Sequence, residues 1–276
     1  MKRNMMIVLA AVFAAIFLFS GVMLWQDYRD QQESAKVFDS VANLISEETQ
    51  PTTAPDTEAD NDSIATETTE SVPVEVSAYE KYAAVYEQNN DFVGWLCIEG
   101  TNINYPVMQT VDEPNYYLKR GFDRAYSDYG VPYVQENCAL GISDNIVIYG
   151  HNMSNGSMFA DLCKYEDESF FREHPIIRFD TLSSYGEYEI VTVFKTVAYS
   201  QEGFKYYHFV NAESAADFDA FLAQCKELEL YDTGVSAEYG DQLITLSTCE
   251  YSRKNGRMVV VAKLITPSTA EGDPDA

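Results

Sequence analysis

Leu243 to Leu264 reads LITLSTCEYSRKNGRMVVVAKL: two β-rich runs separated by a polar segment that contains Asn255-Gly256. β-branched residues dominate both runs, so the stretch is predicted to form a strand, a long loop and a second strand paired as a hairpin. Alternation along the first strand places Thr245, Ser247 and Cys249 on one side and Ile244, Leu246 and Thr248 on the other. The Cys249 thiol therefore shares a face with hydroxyls, whereas a packed structural cysteine more often has apolar neighbours. Pairing of the two runs brings Arg257, at the start of the second, close to Cys249 at the end of the first, across a strand spacing of about 4.8 Å. A guanidinium there favours thiolate over thiol and can donate hydrogen bonds to the oxygen of a tetrahedral intermediate. Arg253 competes for that role, but it lies in mid-loop, where a charged side chain is more often simply solvated.

A thiol nucleophile needs a proton-transfer partner, and the chain offers three histidines, His151, His174 and His208. His151 ends the run NIVIYGH and precedes the turn-rich segment NMSNG, a strand-end position of the kind where functional groups sit. His174 precedes Pro175 in FREHPIIRF and His208 lies in the aromatic run FKYYHF, so both read as surface or packing residues.

Other short β-branched runs are NIVIY at 145–149, YEIVTVF at 188–194 and MVVVAKLI at 258–265. Several such strands with few helices indicate a mainly β barrel or sandwich. One helix is expected after Ser214, with Asp217 completing a variant capping box and Phe218, Phe221, Leu222, Cys225 and Leu228 on one face, which makes Cys225 a core residue. Tyr79, Tyr82, Tyr86, Phe92 and Trp95 mark the beginning of the folded domain near Ser77.

Upstream of it the composition is different. From Met5 to Trp25 every residue is apolar or small, and a helix of that length spans roughly 31 Å, about the hydrocarbon thickness of a bilayer. Lys2 and Arg3 precede this run and Asp27 and Asp30 follow it, which places residues 1–4 in the cytoplasm and everything after Trp25 outside. The run ends in Val22-Met23-Leu24-Trp25 with no small-x-small cleavage site, so an uncleaved transmembrane helix over 5–25 is favoured over a signal peptide. Between Ile45 and Val76 there are nine acidic residues and no basic one, among Thr, Ser, Pro and Ala. Such a segment cannot bury enough surface to offset its ordering entropy. Residues 26–76 are accordingly expected to be an acidic, disordered linker, 77–266 the catalytic domain and 267–276 a flexible tail.

The 276-residue chain carries 44 acidic against 18 basic side chains, a formal net charge of −26. With no basic, aromatic-interleaved stretch, nucleic-acid binding is not expected. The five cysteines are widely spaced, without the Cys-x-x-Cys pairs of zinc or dithiol sites, so no metal and no organic cofactor is expected. The odd count leaves at least one thiol free unless it pairs with another molecule.

The blocks DFVGWLCIEGTNINYPVMQ from Asp91, NYYL from Asn115, NIVIYGHNMSNGSMFADL from Asn145, TLSTC ending at Cys249 and GRMVVVAKL from Gly256 resemble, in order, those of class B sortases. The resemblance covers about Ser77 to Ile265 and places that family's catalytic histidine, cysteine and arginine on His151, Cys249 and Arg257. It implies an eight-stranded β-barrel with N-terminal helices before the first strand and a helix between the sixth and seventh. It implies a membrane-anchored cysteine transpeptidase. Such an enzyme cuts a C-terminal sorting signal of secreted proteins, of the Asn-Pro-x-Thr-x or Ser/Pro-Pro-x-Thr-Gly kind, after threonine. It then passes the acyl group from a Cys249 thioester to a peptidoglycan amine. Substrate contacts transfer to Ser247, Tyr207, Leu118 and Tyr149, with the Glu250 N–H as a second oxyanion donor. A pilin-polymerising sortase, a hydrolytic cysteine protease and a non-enzymatic membrane-tethered binding module are the alternatives.

Overall fold

The computed structural model describes residues 2–48, 77–198 and 203–265. Eight strands close into a barrel: β1 (Phe92–Cys97), β2 (Asn104–Met108), β3 (Tyr133–Val134), β4 (Asn145–Tyr149), β5 (Ile176–Thr181), β6 (Glu187–Val197), β7 (Leu243–Glu250) and β8 (Gly256–Ile265). Their order around it is β1-β2-β3-β4-β7-β8-β6-β5. β2/β3 and β4/β7 are parallel neighbours, and the remaining pairs are antiparallel. Closure leaves no sheet edge open. The runs read from sequence as strands lie in β4, β6, β7 and β8, and the predicted hairpin is β7–β8.

β4, β7 and β8 are buried along nearly their whole length: Val147, Ile148, Ile244, Leu246, Val259 and Val260 are all fully inaccessible. Both faces of this wall are covered: the 160–166 turn packs on β7 and β8, and α4 (Ala215–Leu228) packs on the neighbouring β6. α4 begins as expected, with Ser214 Oγ accepting from the Asp217 N–H. Phe218, Phe221 and Cys225 are buried, and Phe221 stacks on Phe209 with ring centroids 4.1 Å apart. Leu228, at the end of the helix, is exposed rather than buried with them.

α2 (Ala78–Gln88) starts with a capping box, in which the Ser77 side chain accepts from the Glu80 N–H and the Glu80 side chain accepts from the Ser77 N–H. It buries Tyr82 and Val85. A short helix, α3 (Glu168–Glu173), precedes β5.

The linker expected over 26–76 is corrected in its first part. α1 runs unbroken from Lys2 to Glu48, so residues 26–48 are helical, and residues 49–76 lie outside the described ones. The physical reason is an apolar stripe that the acidic composition masks. Phe38 and Val41 are buried, Val37, Leu44 and Ile45 are partly so, and the Phe38 ring meets Tyr105 of β2 edge-on at 5.2 Å. Tertiary burial supports this part of the helix, as propensity alone seldom does. The apolar part of α1 buries nothing: Phe13, Phe17, Phe19 and Leu24 are exposed, and the helix is long and apolar enough to cross a membrane. The tail expected at 267–276 lies outside the described residues.

Phe218 lies fully buried between α4 and the barrel wall. Phe218→Ala is expected to lower the unfolding free energy by about 3–5 kcal/mol in a urea titration.

Candidate active site

β7 is the middle strand of three at this end of the barrel, with β4 parallel to it on one side and β8 antiparallel on the other. On the β8 side Cys249 is the direct ladder partner of Arg257. Directly paired residues project to the same face, with Cα atoms about 4.5–5.5 Å apart. On the β4 side Tyr149 pairs with Ser247, and the Gly150 N–H donates to the Ser247 carbonyl at 3.2 Å. The ladder ends there, and the same register continued by two residues would bring His151 opposite Cys249. The two chains still run together there, since Asn152 Nδ2 donates to the Cys249 carbonyl at 2.9 Å. Cys249 and Arg257 thus share one face of the β7–β8 pair, with Arg257 Nη1 donating to the Gly256 carbonyl at 2.9 Å. Arg253, the competing guanidinium, is exposed in the β7–β8 turn, so the ladder favours Arg257.

Close packing holds the segment around His151. Gly150 is obligatory because a Cβ there would lie 2.5 Å from the buried Phe159 ring. The His151 carbonyl accepts from the Phe159 N–H at 2.8 Å, and Thr248 Oγ1 donates to the Gly150 carbonyl at 2.8 Å. His151 Nε2 lies 2.7 Å from the Leu118 carbonyl. A carbonyl only accepts, so Nε2 carries the proton and Nδ1 is the basic nitrogen of the neutral ring. Burial depresses the His151 pKa below the ordinary imidazole value, against the Leu118 hydrogen bond, which raises it; Lys119 lowers it and Asp128 raises it.

The remaining residues singled out from sequence divide into two groups. Ser247 is buried, with its hydroxyl 2.5 Å from that of Tyr206. The Tyr149 hydroxyl donates to Gln135 Oε1, while Gln135 Nε2 donates to the Tyr207 carbonyl at 2.9 Å. Tyr133, Tyr149, Tyr206 and Tyr207 therefore form a linked aromatic wall next to Ser247, one pleat from the thiol. Leu118 is 39% exposed, in the turn that supplies the His151 hydrogen bond. The Glu250 side chain is turned to its own loop: it accepts from the Ser252 N–H and hydroxyl, both at 2.7 Å. Burial works to raise its pKa, but these two bonds and Lys195 hold it below the usual carboxylate range.

His174 and His208 are elsewhere. His174 Nδ1 bonds the Glu99 carbonyl at 2.8 Å, and His208 packs edge-on against Tyr207. Cys225 is buried in α4 and its thiol pKa is pushed up by burial. Sequence reasoning missed Asn152 and Cys163, which meet at the Cys249 carbonyl. Asn152 Nδ2 is 3.2 Å from Cys163 Sγ as well as bonded to the Cys249 carbonyl. Adjacency to His151 was the available signal for Asn152; Cys163 carried none.

The sortase domain family model matches residues 96–265. Sortase B of Listeria monocytogenes is 30% identical over 261 residues, covering 94% of this chain and 96% of that protein. The chain belongs to the sortase family, in class B. It is accordingly a cysteine transpeptidase, and the closed eight-stranded barrel with α4 between β6 and β7 is the sortase B fold. The structure titled as a Staphylococcus aureus sortase B–substrate complex superposes with a TM-score of 0.69 at 26% identity, covering 88% of this chain and 99% of that one. A sortase B complexed with triglycine gives the same TM-score and identity over 88% of this chain and 100% of that one.

Because the native ring binds its proton less readily than the ring in the unfolded chain, the unfolded state protonates first as pH falls. The stability this group contributes is present above the unfolded value of 6.5 and is lost as pH drops from there through the lower native pKa. NMR titration of His151 is expected to give a midpoint below 6.5, and His151→Gln to flatten the loss of thermal stability on the acid side of that value.

Proposed function

We propose that Cys249 is the nucleophile, His151 the general acid and base, and Arg257 the oxyanion donor of a transpeptidase acting on C-terminal sorting signals. The observation that carries this reading is the β7–β8 ladder that pairs Arg257 with Cys249, and the parallel β4–β7 register, continued two residues past Tyr149 and Ser247, would bring His151 to the other flank of Cys249.

The steps follow from the geometry. His151 Nδ1, the basic nitrogen, takes the Cys249 proton as sulfur attacks the carbonyl of the signal's threonine. Negative charge develops on the carbonyl oxygen, which the Arg257 guanidinium and the Glu250 N–H stabilise. The same imidazolium then protonates the departing amine, so the C–N bond breaks and a thioester remains on Cys249. An incoming amine loses a proton to His151, attacks the thioester and expels the sulfur, forming a new amide. The aromatic wall of Tyr149 and Tyr207 with Ser247, and Leu118 across from it, would line the channel for the extended peptide.

The signal is proposed to be of the Asn-Pro-x-Thr-x or Ser/Pro-Pro-x-Thr-Gly kind, and the acceptor a peptidoglycan cross-bridge or precursor amine that fixes a secreted protein to the cell wall. The relatives support both halves in kind, one captured with substrate and another with triglycine, a peptide with a free amine. The apolar part of α1 is proposed to hold the enzyme in the cell membrane, with residues 1–4 cytoplasmic and the barrel outside.

Incubating the full chain with signal peptides and amines, then weighing products, tests the proposal. Transpeptidation adds the amine to the threonine carboxyl, whereas hydrolysis adds water and would identify a protease. Cys249→Ala is expected to abolish acyl transfer while Cys225→Ala retains it; equal loss in both counts against the assignment. Arg257→Ala is expected to lower kcat by roughly 10²- to 10³-fold, the cost of removing one oxyanion donor.

A further inference from the structure

The His151 ring is oriented by a carbonyl on a surface turn, and that turn is itself held from α1. Leu118 lies in the single helical turn Tyr116–Lys119. The chain then leaves and returns, so that the Ser127 N–H donates to the Lys119 carbonyl at 3.1 Å and the Val131 N–H to the Tyr117 carbonyl at 3.1 Å. Lys119 Nζ pairs with Asp128 at 2.8 Å. Both strands of this loop therefore move together. α1 grips its returning side with one carboxylate: Asp30 Oδ1 accepts from the Ser127 hydroxyl at 3.0 Å and Oδ2 from the Asp128 N–H at 2.9 Å. One turn on, the Ser34 and Ser127 hydroxyls are 3.1 Å apart.

A carboxylate accepting two bonds from adjacent residues, one of them a backbone N–H, fixes both position and orientation of the turn. Asp30 stands five residues after Trp25, the end of the apolar run, or about 7.5 Å along the helix axis. The element proposed to lie in the bilayer thus continues without a break into the contact that sets the Leu118 carbonyl.

Resting on the acid–base assignment of His151 above, we propose that Asp30 is a positioning residue for catalysis: it tethers the 118–128 loop to the anchor helix and thereby keeps the Leu118 carbonyl on His151 Nε2. The charged groups that act on the ring are Lys119 and Asp128 from this loop, with Asp30 bonded to the Asp128 N–H behind them. Asp30 touches neither thiol nor imidazole; its influence passes through a hydrogen-bonded turn. Misplacing a catalytic group by about an ångström is enough to lower turnover.

The test uses the full chain in lipid nanodiscs. Asp30→Ala is expected to lower kcat by roughly three- to tenfold. Asp30→Asn, which keeps one acceptor oxygen, is expected to fall between it and wild type. Ring nitrogen NMR above the titration range is expected to show neutral His151 as the Nε2–H tautomer in wild type and as a mixture of both tautomers in Asp30→Ala. A global loss of folding would lower activity without producing that mixture in the folded fraction. The kcat loss and the tautomer mixing together support the proposal, and the absence of either one overturns it. Full activity in His151→Ala would instead overturn the acid–base assignment, a separate result, since the tautomer spectrum of Asp30→Ala does not depend on catalysis.

Discussion

The hydrogen-bonded register of β7 is the constraint on which the site depends. A strand inside a closed barrel has partners on both sides, and each ladder fixes which residues stand opposite one another. β7 is pinned by β4 along Leu243–Ser247 and by β8 along Leu243–Glu250. A slip of one residue in either ladder would turn His151 or Arg257 to the opposite face from Cys249. Such a slip is costly because both faces of β7 are buried: it would move Thr245 and Ser247 away from their Asn145 and Tyr206 partners and leave buried hydroxyls unpaired. The pairing of Cys249 with Arg257 is thus secured by packing several residues away from either.

Polar groups along β7 are satisfied locally, which separates chemistry from scaffold. Thr245 bonds Asn145, Ser247 meets Tyr206 and Thr248 bonds the Gly150 carbonyl, so the hydroxyls that share the strand with the thiol also brace it. Glu250, the residue after Cys249, is an ionised carboxylate bonded by Ser252 and paired with Lys195 at 3.8 Å. In a chain with net charge −26 that matters, since a loose carboxylate near Cys249 would oppose the thiolate. A cleft of about 440 Å³ lies between α1 and the barrel, lined by Phe38, Tyr105, Asn102 and Tyr129 among others, and none of His151, Cys249 or Arg257 borders it. Cys249 and Arg257 instead stand at the strand ends, one pleat from Ser247 and the tyrosine wall.

α1 gives the molecule a second organising axis. Its first half is exposed hydrocarbon and its second half carries the stripe of Phe38 and Val41 that docks on the barrel near Tyr105. Helix geometry makes the two halves one rigid rod of about 70 Å. Whatever holds the first half also fixes the orientation of the barrel, and with it the direction the site faces.

Some of this was legible in the residues. Strands β4, β6, β7 and β8, the capped helix α4 and the hairpin that sets Arg257 against Cys249 could be read because periodicity and turn chemistry are local properties, written within a dozen residues of one another. His151 was reached by elimination and by its strand-end position, and the order of sequence blocks named the family. Neither the depth of α1 nor the hydrogen bond from His151 could be read in the same way. The stripe of Phe38 and Val41 is short and set among acids, and it acquires meaning only when a barrel wall stands opposite. The Leu118 contact is made by a main-chain carbonyl, which every residue has, so no side-chain pattern announces it. Sequence determined which groups were available and which strands would carry them. Only the closing of the barrel, by pairing β4 with β7 across about a hundred residues, decided which of them would share a face.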